Sequence, residues 1–252
     1  MSDLEHADYG YDAPYALVMF ALLTLFSAVG AMWTRAVGAG RPATVMTGYA
    51  AFFLANFGSF LYTTRRGKFV EWNAILNALG LNGHERVLDM GCGRGAVLTA
   101  VARRLTTGTI TGIDIWSTTD QSGNARAVVL RNAELEGVKD RVRIDTGDMR
   151  ALPYPDASFD LVVSSLAIHN IRGTANRQRA INEAYRVLKP GGRLVVADIR
   201  ATAVYERTLR ALGASAIERR RLGWKFWWGN PIAATTLLTA SKVTEPPAAA
   251  SR

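Results

Sequence analysis

Two long uncharged stretches occupy most of the first quarter of the chain. No Asp, Glu, Lys or Arg occurs between Ala13 and Thr34, or between Pro42 and Thr64. Each stretch exceeds the roughly 20 residues that a helix needs to cross about 30 Å of hydrocarbon. If each stretch is drawn as a helix, its apolar residues lie on all sides of the helix and not along one face. Rings that favour a membrane interface stand near the ends: Tyr15, Trp33, Tyr49 and Tyr62. The pattern predicts two transmembrane helices.

The two stretches have alternative interpretations. A buried helical hairpin of a soluble protein is one, because Ala, Gly, Ser and Asn56 lower the hydropathy of the second stretch. A cleaved signal peptide fits poorly, since acidic residues precede the first stretch and a second stretch follows it. Basic residues follow the second stretch, but Arg35 and Arg41 lie in the connecting loop, so the positive-inside rule is only partly obeyed. We predict a hairpin at residues 14–63 and leave open whether it crosses the bilayer or enters one leaflet.

After the hairpin, short apolar runs alternate with helical spacing. Strand patterns lie at Val87–Met90, Thr109–Asp114, Arg141–Thr146, Phe159–Ser164 and Arg193–Asp198. Helical patterns lie at Ala96–Leu105, Asn124–Glu136 and Thr174–Leu188, the last with Thr174 as N-cap and Pro190, Gly191 and Gly192 as its stop. This alternation predicts an α/β fold with a doubly wound, mostly parallel sheet. A ligand crevice is expected at the carboxyl ends of the strands.

The segment Val87–Gly95 is the most informative in the chain. An apolar pair and Asp89 are followed by Gly91, Gly93 and Gly95, which predicts a buried strand that breaks into a tight turn before a helix. Glycine has no Cβ, so a ligand can approach the backbone closely, and the helix that follows offers unpaired N–H groups. The spacing G-x-G-x-G differs from the dinucleotide-binding G-x-G-x-x-G.

This form, D-x-G-x-G-x-G, resembles the first motif of the class I S-adenosylmethionine (SAM) methyltransferases. The resemblance extends over residues 67–241, because four further segments occur in the family's order: Asp114; Gly147, Asp148 and Met149; Ser165, Leu166 and Ala167; and Arg186 to Gly192. It implies a seven-stranded Rossmann-like sheet, completed by a helix and two antiparallel strands within Tyr205–Ser241. With the hairpin added, the predicted fold is this sheet preceded by two transmembrane helices.

The resemblance also implies SAM as cofactor and a role for each matching residue. Asp89, Gly91, Gly93 and Gly95 would surround the methionine part of SAM. Asp114 would accept hydrogen bonds from the ribose hydroxyls. Ile115 and Met149 would enclose the adenine, and Asp148 would accept from its exocyclic amine. Ser165 belongs to the same predicted site.

His169 is the only titratable side chain that we place beside the expected crevice, just past the fourth strand. An imidazole suits a general base for a hydroxyl or thiol acceptor; packing or helix capping is the alternative role.

The stretch Leu166–Asn170 and the Lys-Pro-Gly-Gly turn most resemble the small-molecule branch, including quinone-biosynthesis C-methyltransferases. Those enzymes usually have Arg where this chain has His169, so the residue is a departure.

Charge and cysteine content narrow the class of partner. The net charge is +9, and the first 13 residues hold four acidic and no basic residues, so the rest carries 30 basic against 17 acidic residues. A basic domain is attracted to anionic lipid or to nucleic acid. No RNA-binding module is recognisable. The segment Ser164–Ala167 also differs from the Asn-Pro-Pro-Tyr type of motif found in methyltransferases that act on the amines of nucleic-acid bases. A nucleic-acid substrate is therefore not expected. The lone Cys92 and three scattered histidines predict no metal site.

The combined prediction has four segments: an acidic tail at 1–13, the hairpin at 14–63, a methyltransferase domain at 64–243 and a disordered tail at 244–252. The expected function is membrane-tethered methyl transfer from SAM to a small, lipophilic acceptor. The domain would face the cytosol, where SAM is made. An RNA methyltransferase held at the membrane and a SAM-binding membrane protein without turnover remain alternatives. Oligomerisation through the transmembrane helices is left open.

Overall fold

A computed structural model describes residues 6–244. Its helices are α1 Pro14–Ala36, α2 Gly40–Tyr62, α3 Lys68–Leu79, α4 Ala96–Ala102, α5 Arg126–Leu135, α6 Thr174–Val187 and α7 Thr202–Ala211. Its strands are β1 Arg86–Met90, β2 Thr109–Asp114, β3 Val142–Thr146, β4 Phe159–Ser165, β5 Leu188–Asp198, β6 Ser215–Arg221 and β7 Thr236–Ser241. The predicted disordered tail, apart from its first residue, lies outside the described residues, as do Asp3 and Glu5 of the predicted acidic tail.

The seven strands form one sheet in the order β3-β2-β1-β4-β5-β7-β6. The first five strands are parallel, and β7 runs antiparallel to both β5 and β6. This confirms the predicted doubly wound, Rossmann-like sheet. The strand order reverses between β1 and β4, which opens a crevice at their carboxyl ends.

Alternate residues of the central strands point to opposite faces of the sheet, and helices cover both faces. Val87 packs in a cluster with residues of α3, α4 and α5, whereas Leu88 packs with residues of α6 and α7. Both side chains are fully buried. Such continuous apolar strands are typical of a parallel sheet that is covered on two sides.

Some predicted boundaries were wrong. Gly173, not Thr174, is the N-cap of α6, and no side chain caps the helix. The helix ends at Val187, and β5 begins at Leu188 rather than Arg193, because Leu188 already pairs with Phe159. The glycines expected to stop the helix therefore lie within an extended segment. Helix α5 begins at Arg126, because the side chain of Asn124 is used in a loop contact described below.

Helices α1 and α2 form an antiparallel hairpin that projects from the sheet domain. Both are long and apolar enough to cross a membrane, by length and composition alone. The described chain buries only Ala16, Ser27 and Ala31 of α1 and Ala43, Asn56 and Phe60 of α2. Large apolar side chains are exposed along both: Val18, Met19, Leu22, Leu25, Phe26, Val29, Met32, Trp33, Val45, Phe52 and Leu54. Neither helix is a core helix of the part of the chain that the structure describes.

The base of the hairpin is packed against the sheet domain. A π-helical turn, Thr63–Gly67, joins α2 to α3 without a break, so one helix runs from the hairpin into the domain. Gly67 is required there, since a Cβ would lie 1.7 Å from the carbonyl oxygen of Lys225. Thr63 donates to the carbonyl of Trp227 at 2.5 Å, and Asn230 donates to Asn56 at 3.0 Å. These contacts fix the hairpin relative to the domain.

Some aromatic side chains of the segment Leu222–Gly229 are packed in the interior, and others are exposed. Phe226 and Trp228 are buried, and Trp228 lies edge-on to Phe60 with ring centroids 5.0 Å apart. Trp224 is 59% exposed and stacks on Tyr62 at the end of α2. The segment therefore supplies core aromatics and an exposed indole beside the hairpin.

Candidate functional site

A cavity of about 630 Å³ opens at the carboxyl ends of β1, β2 and β4. Nine of the ten residues predicted for the site line it: Asp89, Gly91, Gly93, Asp114, Ile115, Asp148, Met149, Ser165 and His169. Gly95 is the tenth, and it lies just behind the cavity as the N-cap of α4. Residues separated by as many as 80 positions in the sequence therefore meet at one place.

The glycine turn has little space for side chains. Gly91 and Gly93 have φ values of +74° and +53°, which L side chains rarely adopt. A Cβ at Gly91 would lie 2.3 Å from that of Ala167, and one at Gly93 would lie 2.4 Å from Oε1 of Gln121. The turn can therefore hold a ligand against its backbone only with glycine at both positions.

Asp89 is a buried carboxyl group without a charged partner among the described residues. It is 1% exposed, it lines the cavity, and neither of its oxygens accepts a well-formed hydrogen bond from a described residue; the amide of Leu98 interacts with it only weakly. Burial, and then the charge of Asp114, raises the pKa of Asp89 to about 8. An unpaired buried carboxylate is costly, and a ligand ammonium group would supply the missing donors. The methionine part of SAM carries such a group, so this residue fits the cofactor implied by the motif.

Asp114 connects the end of β2 to the glycine turn. Its Oδ2 accepts from the amide of Gly93 at 2.9 Å, and its Oδ1 accepts from the amide of Trp116 at 2.7 Å and from Nδ2 of Asn124 at 3.2 Å. A carboxylate has about four lone-pair sites, so about one is left for a ribose hydroxyl.

Asn124 is a site residue that sequence reasoning missed. It is buried and lines the cavity, and its Oδ1 has no hydrogen-bond partner among the described residues. This free oxygen lies beside Asp114 and can accept from a second ribose hydroxyl. An Asn just before a helix is usually interpreted as a capping residue, so the sequence offered no distinct signal.

The residues predicted to enclose the adenine lie on the rim. Ile115 is 67% exposed directly after β2, and Met149 is half-buried. An exposed isoleucine on a cavity wall provides apolar area that a flat ring can cover. Arg150 holds Asp148 through its amide and guanidinium, with Nε 2.8 Å from Oδ2. Hydrogen bonding by Arg150 lowers the pKa of Asp148, so this acceptor stays ionised at neutral pH.

The same cavity continues to the base of the hairpin. Ala16, Met19, Phe20, Phe60 and Trp228 form an apolar wall. Between this wall and the glycine turn, Trp72 donates through Nε1 to Ser165 Oγ at 2.9 Å.

His169 lies between the cofactor residues and this apolar wall. Its side chain is 15% exposed, and its Nδ1 lies 2.5 Å from Oδ1 of the fully buried Asp198. The two atoms are close, but their arrangement does not meet the geometry of a hydrogen bond. Asp198 is held in turn by the amides of His169 and Ile199 and by the hydroxyl of Tyr205.

The pairing of His169 with Asp198 leaves the other ring nitrogen, Nε2, to face a ligand. Burial, and then the charge of Asp198, raises the pKa of Tyr205, so the phenol stays protonated and donates. Asp198 ends β5, and a carboxylate at the carboxyl end of a buried strand is the sequence feature that indicates such a site residue.

The expectation that His169 is the only titratable group beside the crevice was wrong. Lys68, Asp12, Asp120, Arg172 and Arg200 also line the cavity. Lys68 is buried, and its Nζ lies 2.5 Å from Asp12 Oδ2. These residues come from separate elements, so no local motif could have indicated them.

The described part of the acidic tail lies on the site. Asp8 forms an ion pair with Arg94 of the glycine turn at 2.6 Å. Asp12 accepts from Nε2 of Gln121 at 3.2 Å, and Gln121 Oε1 accepts from the amide of Arg94 at 2.8 Å. The segment between residues 8 and 13 therefore closes one side of the cavity and continues directly into α1.

Comparison with known proteins agrees with this geometry. A family model described as a methyltransferase domain matches residues 88–196. Methyltransferase GfsG of Streptomyces halstedii is 35% identical over 144 residues, which are 57% of this chain and 47% of that protein. The ubiquinone/menaquinone biosynthesis C-methyltransferase of a Ruegeria species is 37% identical over 125 residues, 49% of this chain and 46% of that protein. This chain thus spans about half the length of such curated relatives.

Solved structures show the same fold. Geranyl diphosphate C-methyltransferase from Streptomyces coelicolor, in complex with Mg²⁺, geranyl diphosphate and S-adenosyl-L-homocysteine, superimposes with a TM-score of 0.56 at 16% identity. The match covers 69% of this chain and 77% of that one. Residues 88–196, which include most of the residues of this cavity, therefore form a methyltransferase domain with the class I fold, and this domain is similar in sequence to the quinone-biosynthesis C-methyltransferases.

Proposed function

We propose that this protein transfers the methyl group of SAM to a small, lipophilic acceptor at a membrane surface. The observation that carries the proposal is the continuity of one cavity from the cofactor residues to the apolar base of the hairpin. An acceptor that enters between the hairpin and the sheet domain would meet the glycine turn without passing through bulk water.

The described residues can position SAM. Asp89 binds its ammonium group, Asp114 and Asn124 accept from its ribose hydroxyls, and Asp148 accepts from its adenine amine. SAM supplies an electrophilic methyl group on a sulfonium that leaves without assistance. The contribution of the chain is therefore alignment of donor and acceptor and exclusion of water.

His169 serves as the general base in this proposal. Asp198 orients the imidazole through Nδ1, so Nε2 can take a proton from an acceptor hydroxyl, thiol or activated carbon acid. Nδ1 of His169 and Oδ1 of Asp198 lie 2.5 Å apart, and contacts of this kind become better aligned when substrate binds. A SAM-binding protein without turnover would have no use for an oriented imidazole beside the methyl group. This pair favours an enzyme over a sensor.

The hairpin supports attachment to a membrane. Its helices expose large apolar side chains along their length, and exposed patches of that size mark interaction sites. The base of each helix is packed on the domain up to Phe20 and Asn56. The part of α1 beyond Phe20 is about 24 Å long at 1.5 Å per residue. That is somewhat less than about 30 Å of hydrocarbon, so two crossings require the domain edge to enter the headgroup layer.

Two exposed side chains of the sheet domain suit that depth. Trp224 is 59% exposed and stacks on Tyr62 of α2, and Ile232 is 91% exposed two residues after Asn230, which contacts Asn56 of α2. Indole rings favour the interface between headgroups and hydrocarbon. The segment between residues 8 and 13 contacts the sheet domain, so both lie on the same side of the membrane. We place that side in the cytosol, where SAM is made.

The comparisons support a small, lipophilic acceptor. The curated relatives that match about half of this chain include enzymes named for ubiquinone and menaquinone biosynthesis, and quinones of this kind are lipophilic. An RNA methyltransferase remains the second candidate because the chain is basic, but the apolar lining at the hairpin base offers nothing to a nucleotide backbone.

Labelled SAM tests the function directly. Full-length protein in phospholipid nanodiscs is incubated with methyl-labelled SAM and with separate lipid, water-soluble and RNA fractions of a bacterial extract. We expect label in the lipid fraction with the wild-type chain and at least about a hundredfold less with His169→Ala. Label in the RNA fraction would contradict the proposal. Binding of SAM without transfer to any fraction would favour a non-catalytic protein.

A further inference from the structure

Two arginines on the cavity wall lack a counter-charge. Arg172, just after the short helical turn that holds His169, and Arg200, just after β5, both line the cavity and are exposed to solvent. Neither guanidinium forms an ion pair or a hydrogen bond with any residue between 6 and 244. They are the cations nearest in sequence to the candidate base and to its partner Asp198.

Several other arginines of the chain do have acidic partners. Arg103, Arg150, Arg186, Arg210 and Arg219 each form an ion pair with a carboxylate. Acidic groups are not missing from the cavity, but Asp89, Asp114 and Asp148 lie on the side assigned to the cofactor. On the side assigned to the acceptor, Lys68 is neutralised by Asp12, whereas Arg172 and Arg200 have no ion-pair partner among residues 6–244.

A second, shallower cavity extends this basic surface. It has a volume of about 410 Å³ and shares Ile199 and Arg200 with the first. The edge strand β6 adds Arg219, Arg220 and Arg221 to its wall. Arg219 is paired with Glu206, whereas Arg220 and Arg221 have no ion-pair partner in the described part of the chain. An anion at the junction of the two cavities would be attracted by several guanidinium groups.

We propose that the methyl acceptor is an amphiphile with an anionic group, a phosphate or a carboxylate, which Arg172 and Arg200 bind. Its apolar part lies along Met19, Phe20, Phe60 and Trp228 at the hairpin base. A guanidinium suits this role because its fork of N–H donors matches the geometry of both anions. This inference rests on the proposed function, since it names the substrate class of the same site.

Matched amphiphiles test the inference without knowledge of the natural acceptor. Full-length protein in phosphatidylcholine nanodiscs is saturated with S-adenosylhomocysteine, and binding of radiolabelled dodecyl phosphate and dodecanol is measured by equilibrium dialysis against empty discs. We expect dodecyl phosphate to bind at least about tenfold more tightly, the effect of one charge-assisted contact. The double variant Arg172→Gln, Arg200→Gln should lose this preference and keep its affinity for dodecanol.

Arg179→Gln is the matched control. Arg179 is an exposed arginine on α6 that lines neither cavity, so its variant should retain the wild-type preference. Equal loss in the control and the double variant would mean that net charge alone attracts the probe, and the inference would be overturned. Equal affinity of the wild-type chain for the two amphiphiles would overturn it as well.

Two further measurements distinguish failure of the proposed function from failure of the acceptor assignment. Calorimetry of S-adenosylhomocysteine with the same samples comes first, and absence of binding would reject the proposed function itself. Replacement of part of the phosphatidylcholine by phosphatidylglycerol tests whether a bilayer headgroup occupies the arginines. Unchanged binding of dodecyl phosphate supports an acceptor site. Displacement by the anionic lipid in the wild-type chain, and not in the double variant, would assign the arginines to the bilayer and overturn the acceptor assignment.

Discussion

Replacement of Asp89 by Asn should have opposite effects on stability and on cofactor binding. Burial raises the pKa of Asp89 from 3.8 to about 8 in the folded chain. The folded state therefore holds a proton that the unfolded state releases at lower pH. The stability contributed by this proton is complete below about pH 4 and is lost as the pH rises through 8. At about 1.4 kcal/mol per pKa unit, the upper bound of this loss is on the order of 6 kcal/mol.

Asn has nearly the same shape and cannot ionise, so it avoids this loss. We expect the melting temperature of unliganded Asp89→Asn to equal that of the wild-type chain near pH 4 and to exceed it increasingly up to pH 8. Asp148→Asn is a control of opposite sign, because hydrogen bonding by Arg150 lowers the pKa of Asp148. Its variant should be less stable than the wild-type chain at neutral pH. Differential scanning fluorimetry across this pH range measures both.

Cofactor binding should respond in the other direction. The ammonium group of SAM favours ionised Asp89, so at pH 7 binding should release close to one proton, and affinity should rise almost tenfold between pH 6 and pH 7. Titration calorimetry in buffers of different ionisation enthalpy counts this proton. Asp89→Asn should release none and bind SAM at least tenfold more weakly, through loss of a charge-assisted contact. A wild-type chain that binds SAM without proton release, or an Asn variant with undiminished affinity, would refute the role given to this carboxylate.

Four other predictions concern the cofactor, the base with its partner Asp198, and the hairpin. Asp114→Ala should weaken SAM binding at least tenfold in calorimetry, because it removes an acceptor for a ribose hydroxyl and leaves the Gly93 amide without its hydrogen bond. An unchanged melting temperature would show that the fold survives. Unchanged affinity for SAM would contradict the role assigned to Asp114. His169→Ala should lower turnover roughly 10²–10⁴-fold with SAM affinity nearly unchanged and with partial rescue at high pH, whereas retained activity at neutral pH would assign the residue to packing. Asp198→Asn should reproduce much of this loss in kcat and shift the pH profile, which a purely structural role would not do. The full-length chain should stay in the membrane fraction after a carbonate wash, and its release by high salt alone would indicate charge-driven surface attachment instead.

The arrangement of strands and helices was largely determined by local sequence. The apolar run before Gly91 and the helical spacing after it predicted β1, the turn and α4, because side-chain periodicity is set within a few residues. The same reasoning placed β2, β3 and β4 within one or two residues. The boundary between α6 and β5 was wrong because it depends on the pairing of Leu188 with Phe159, a contact between residues 29 positions apart.

The chemistry of the site was divided between sequence and tertiary structure. The motif placed Asp89 and Asp114 at strand ends, and strand order then brought them to one crevice, as parallel sheets require. The absence of a partner for Asp89 follows only from what surrounds it in three dimensions. The same holds for Asn124, whose free oxygen depends on how its loop folds over Asp114.

Tertiary structure alone decided the acceptor side of the cavity. The contact between His169 and Asp198 and the ion pair between Lys68 and Asp12 join residues 29 and 56 positions apart. No periodicity or spacing connects such residues, because their approach depends on how whole helices and strands pack. The hairpin was evident from its uncharged stretches, but its position against the methyltransferase cavity was set by Gly67, Thr63 and the aromatic segment. Those contacts place the apolar wall next to the cofactor residues, and this placement supports a lipophilic acceptor.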